Sequence, residues 1–97
     1  MRIQILPKAR EDLVAGCRFY ERKVAGLGNY FRDSLLKDVD ALATNPGVHG
    51  KVFGYQRSLS KRFPFAIYYR VEGNVVRVRA ILDCRRNPSW IRHRIRN

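Results

Sequence analysis

The polar and apolar positions change period along the chain. Ile3 and Ile5 alternate with Arg2 and Gln4 over a short strand that stops at Pro7. Pro7 suits a first helical turn, where its missing N–H needs no partner. From Lys8 to Val24, Ala9, Leu13, Cys17, Tyr20 and Val24 recur at spacings of three and four, the stripe of an amphipathic helix. Gly26-Leu27-Gly28 turns the chain, and a second helix is predicted from Asn29, a good cap residue, to Ala43. Its stripe is Phe31, Leu35, Val39 and Leu42, with Leu36 beside it, and Thr44-Asn45-Pro46-Gly47 stops it. Helices joined by so short a turn should pack as an antiparallel hairpin.

Beyond that stop the period falls from 3.6 to 2. Strands are predicted over Tyr55 to Ser60, Pro64 to Val71 and Val75 to Asp83, the last two joined through Glu72-Gly73-Asn74. A hairpin there sets Val71 opposite Val76. Unbroken alternation then gives a core face of Phe65, Ile67, Tyr69 and Val71 with Val76, Val78, Ala80 and Leu82. Ala66, Tyr68, Arg70, Arg77, Arg79 and Ile81 fall on an open face. Pro88 to Arg94 suits a short terminal helix. The expected architecture is α+β: a strand, an antiparallel helix hairpin, a three-stranded antiparallel sheet and a short C-terminal helix, forming one domain over residues 1–97.

Charge sharpens this picture. Twenty Lys+Arg against eight Asp+Glu leave +12 at pH 7. Residues 1–47 carry eight cations and six acids, whereas residues 48–97 carry twelve cations with only Glu72 and Asp83. The first half therefore reads as scaffold, and the second as a surface for an acidic partner: nucleic acid, a ribosome or an acidic protein. Apolar runs are too short to span a bilayer, the N-terminus lacks the apolar core of a secretion signal, and two cysteines make no disulfide framework. A cytoplasmic protein is expected, with no membrane partner.

The residues in order resemble the RelE/ParE superfamily of bacterial toxins from type II toxin–antitoxin systems. The similarity runs through Ala9-Arg10-Glu11-Asp12-Leu13, Phe19-Tyr20-Glu21, Gly26-Leu27-Gly28 with Phe31, and Leu42 to Asn45-Pro46. It continues through Arg62-Phe63-Pro64-Phe65-Ala66-Ile67-Tyr68-Tyr69 and Arg85-Arg86-Asn87-Pro88 with Trp90. The resemblance implies a growth inhibitor neutralised by a cognate antitoxin with an acidic or amphipathic segment. Its target would be DNA gyrase for a ParE-like member, or mRNA on the ribosome for a RelE-like, metal-independent endonuclease.

RNA cleavage needs a base, a cation for the phosphorane and an acid. Cations abound in Arg57, Lys61, Arg62, Arg70, Arg77, Arg79, Arg85 and Arg86, but arginine is a poor base. Asp83 stands where many relatives carry histidine, Ala66 where such nucleases present arginine, and Trp90 where they place a tyrosine. Tyr68, Asp83 and Arg85 are the candidate catalytic group if the protein cuts RNA. The cations, Tyr68 and Trp90 are otherwise candidates for binding the target or the antitoxin, and Trp90 also for anchoring the C-terminal segment. His49 and His93 have no metal-ligand spacing, and no cofactor is expected. The ParE-like reading leads, the endonuclease follows, and a non-toxic nucleic-acid-binding module comes last.

Overall fold

A computed structural model describes residues 1–97. Strand β1 (Arg2–Ile5) leads through Leu6 into α1 (Pro7–Lys23), with Pro7 at the first helical position. Ala9, Leu13 and Gly16 of α1 are buried and Cys17 and Tyr20 half-buried, but Val24 already has extended backbone and lies 60 % exposed. Helix α2 spans Leu27–Asp40 and tightens into a 3-10 turn at Ala41–Ala43. It starts earlier than Asn29 predicted. Gly26, at φ +88°, occupies the cap position, and Glu21 of α1 accepts the N–H groups of Gly26 and Gly28, both at 2.9 Å. That carboxylate does the work expected of an Asn29 cap. Phe31, Leu35, Val39 and Leu42 are all buried as their spacing predicts.

Four strands follow the helix hairpin: β2 (Lys51–Val52), β3 (Tyr55–Leu59), β4 (Phe65–Glu72) and β5 (Val75–Asp83). Helix α3 (Pro88–Arg96) ends the fold. The sheet has five strands, ordered β1-β5-β4-β3-β2, rather than three. Strand β1 joins it in parallel beside β5, because the helix hairpin supplies the crossover a parallel pair requires. Strand β2 escaped prediction because it is only two residues long. It turns into β3 through Phe53 and Gly54, whose φ values of +54° and +85° suit the tight turn of a two-residue hairpin.

The β4–β5 hairpin begins in the expected register, Val71 opposite Val76, but does not keep it. Tyr69 pairs with Val78 and Tyr68 with Ala80, so Arg79 is an extra residue in β5, a bulge. Every β5 side chain beyond it changes face. The helix-covered core therefore takes Phe65, Ile67, Tyr69, Val76, Val78 and Ile81, whereas Ala80 and Leu82, expected there, lie on the far side. Val71 at the hairpin end is 37 % exposed.

The far side is not an open face. Helix α3 lies across it, and Ile91 and Ile95 join Ala66, Tyr68, Ala80 and Leu82 in a second core. The sheet is thus buried on both sides. Strand β1 stops pairing at Val78, which leaves the outer half of β5 without a strand on that edge. Asp12 of α1 compensates by accepting the Ile81 N–H at 3.1 Å, and the same carboxylate is bonded to Arg94 of α3. One residue so joins α1, the free edge of β5 and α3.

Candidate functional site

The bulge and α3 decide where the candidate residues stand. Tyr68 is 1 % exposed, buried under α3 among Ala66, Ala80 and Leu82. Burial pushes its phenol above the ordinary value, while Arg57, opposite it on β3, pulls the other way. Arg79 turns its Nε to the Ile95 carbonyl at 2.8 Å and helps seat α3. Arg77 bonds Gln4 Oε1 at 2.7 Å and pairs with Glu72 at 2.7 Å, at the β1 end of the sheet. Arg70 is exposed with its guanidinium 4.0 Å from the Tyr55 ring centre. The predicted open row of Arg70, Arg77 and Arg79 is therefore dispersed over three environments.

Lys61 and Arg62 lie in the β3–β4 connection, which is tied to α2. The Lys61 N–H donates to Asp38, and the Arg62 guanidinium to the Tyr30 hydroxyl at 3.0 Å. His49 is half-buried with Nδ1 2.6 Å from the Tyr69 hydroxyl.

Asp83 and Arg85 do meet. The guanidinium donates to both carboxylate oxygens at 2.7 and 3.0 Å, and the Arg85 backbone N–H adds a bond at 2.8 Å. These donors hold the Asp83 carboxyl below the usual range against its partial burial. Tyr68 stands on the opposite face of the sheet from Asp83, because the bulge puts Asp83 in line with Ile81 and Phe65. The tyrosine near the pair is instead Tyr20 of α1. Burial raises its phenol, with Arg85 and Asp83 acting on it in opposite senses. Sequence reasoning treated Tyr20 only as a member of the core stripe. Its stacked contact with Phe31 and its packing on Phe63 agree with that role, and nothing local to the sequence marks its nearness to Asp83.

Beside this pair, a groove of about 360 Å³ runs between α1, the free edge of β5 and the start of α3. Small residues Ala15 and Gly16 of α1 leave it room, and Ile81 and Leu82 line it from the sheet. Two aromatic walls, Phe19 and Trp90, are 42 % and 38 % exposed. Trp90 is thus not the anchor of the C-terminal segment; Ile91 and Ile95 are. The Arg86 guanidinium sits 3.6 Å from the Trp90 ring centre, and neither Arg86 nor Arg22, also lining the groove, has a carboxylate partner. An apolar floor, aromatic walls and two free cations suit a protein segment carrying apolar and acidic side chains. No three His, Cys, Asp or Glu side chains gather as metal ligands, and no helix is long and apolar enough to cross a membrane.

No family model matches the chain, and no curated protein matches it in sequence. Among solved structures, a chain of the chromosomal ParDE TA system from P. aeruginosa superimposes on it with a TM-score of 0.71 and 24 % identity. The match covers 84 % of this chain and 92 % of that one. It fits the element order, the mixed sheet and the helix hairpin above. The chain has a ParE-like fold.

Proposed function

We propose that residues 1–97 form the toxin of a type II toxin–antitoxin pair, working in the cytoplasm by binding DNA gyrase rather than by cutting RNA. The fold shared with a chain of a ParDE system supports the toxin assignment. The burial of Tyr68 supports binding over catalysis. A nuclease needs proton-transfer groups in reach of its substrate. Tyr68 lies under α3, and Asp83 is clamped by Arg85 in its charged form, which leaves it no proton to donate and makes it a weak base. The cognate antitoxin would lay an acidic, amphipathic segment in the groove of Phe19, Trp90, Arg22 and Arg86.

The test is induction without antitoxin, with DNA and protein synthesis followed separately by pulse labelling. An early fall in DNA synthesis with translation intact supports gyrase, and loss of supercoiling by purified gyrase with the toxin would complete the case. An early fall in translation overturns it. The grouping of Tyr20 with Asp83 and Arg85 favours one alternative, a ribosome-dependent mRNA endonuclease using Tyr20. Unchanged toxicity of Tyr20→Phe would remove that alternative.

A further inference from the structure

The outer face of α3 plays no part in the groove. Ser89 lies three and four residues before Arg92 and His93, and these lie four and three before Arg96, so the four share a face. With Asn97 they line a shallow cleft of about 310 Å³ that contains no hydrophobic side chain, and all five are exposed. The inner face is the reverse: Ile91 and Ile95 are buried, and Arg94 is paired with Asp12. Residues 84–97 hold five arginines and no acidic side chain, and Arg92 and Arg96 have no ionic partner. A helix dipole favours cations in its last turn, which accounts for Arg96 but not for a polar cleft reaching back to Ser89.

The chemistry of the cleft selects its partner. A protein docked there would bury almost no apolar surface on this side, and apolar burial drives most protein association. Phosphodiester oxygens offer what these side chains need: anionic acceptors for arginine forks, and acceptors for Ser89 and Asn97. No Phe, Tyr or Trp lines the cleft, and Arg86 covers a face of the neighbouring Trp90, so single strands would find only the His93 imidazole to stack on rather than a platform for successive bases. From Ser89 to Arg96 the helix rises about 10 Å, enough to reach two or three phosphates of one strand. The geometry points to a binding site for the phosphate backbone of duplex DNA on the outer face of α3, with Ser89, Arg92, His93 and Arg96 as its contacts. The site is independent of the toxin reading, because it uses no residue of the groove or of the Asp83–Arg85 pair.

The test is fluorescence anisotropy of the full chain with a labelled mixed-sequence duplex across a fourfold range of salt. Each phosphate contact adds about 0.9 to the slope of log affinity against log salt. Arg92→Gln with Arg96→Gln should therefore flatten the slope by about 1.8, and Arg92→Gln alone by about 0.9. Over that salt range, wild-type affinity should fall about 12-fold further than that of the double variant. Arg18→Gln with Lys37→Gln removes the same charge from exposed positions on the helix hairpin and should leave the slope unchanged. Both double variants keep every buried residue of the wild type, and equal melting temperatures check that they fold. Three results overturn the proposal: no duplex binding at the lowest salt, equal flattening by both double variants, or α3 variants that lose an acidic polyglutamate peptide but keep the duplex. The first means no site, the second diffuse charge alone, and the third a protein partner. None of them bears on toxicity, so this proposal and the toxin reading fail separately.

Discussion

Removing the Asp12 carboxylate tests what holds α3 over the sheet. Its side chain is 12 % exposed and that of Arg94 17 %, so the pair is largely out of water. Burial pushes the Asp12 carboxyl above its usual value even with Arg94 beside it, so desolvation outweighs the attraction. Such a pair contributes little compared with an apolar replacement, but breaking one side is costly because the other charge is stranded. Asp12→Ala strands Arg94, whose Nη1 already lacks a partner, and leaves the Ile81 N–H unbonded. Breaking a buried pair costs about 3–5 kcal/mol, and the lower end suits this partly exposed one. With an unfolding entropy of about 2.1 cal/mol/K per residue, a chain of this size should melt about 15 °C lower. Asp12→Ala with Arg94→Met removes the stranded charge, and only the Ile81 N–H, worth about 1–2 kcal/mol, stays unsatisfied. The double variant should therefore melt about 5–10 °C below wild type, above the single one. Arg94→Met alone should gain stability relative to wild type as pH falls. A raised folded pKa means that protonation favours the folded state, and losing Arg94 raises it further. Calorimetric melting of the four proteins across pH measures all of this. If Asp12→Ala and the double variant melt together, the two side chains are not coupled and the latch is refuted.

Three further predictions follow from the packing. Ile95→Ala should cost about 2–5 kcal/mol in denaturant unfolding because Ile95 is fully buried, whereas the partly exposed Trp90→Ala should cost about 1 kcal/mol and chiefly weaken antitoxin binding in calorimetry. Gly28→Ala should destabilise by about 1–3 kcal/mol in the same assay, since a Cβ there would stand 2.6 Å from the Cys17 carbonyl oxygen and push the two helices apart. Glu21 lies below its ordinary value of 4.5 because the Gly26 and Gly28 N–H groups favour its charged form. Its stabilisation is complete above that value and fades as pH falls through the lowered one, so the melting-temperature gap between wild type and Glu21→Gln should close on acidification.

Local pattern determined most of the elements. A 3.6-residue stripe cannot bury itself except as a helix face, and Phe31, Leu35, Val39 and Leu42 lie buried where that spacing puts them. Period two marked β3, β4 and β5, and the charge count already separated a near-neutral scaffold from a basic half. The register did not follow from alternation. One extra residue at Arg79 reversed Ala80, Ile81 and Leu82, and the only trace in the sequence is that these three are consecutively apolar. Such a run can be read as a bulge or as a strand buried on both faces, and here it is both. Where side chains from distant segments meet was beyond local reading. Helix α3 is short and strongly basic, so nothing in its own sequence shows that Ile91 and Ile95 cover Tyr68. Nor does it show that Arg94 reaches a carboxylate 82 residues away. The site depended on those contacts: folding α3 across the sheet buried the tyrosine that looked exposed and brought Trp90 beside Phe19. Spacing along the chain sets which residues share a face, but only packing between segments decides what lies against that face.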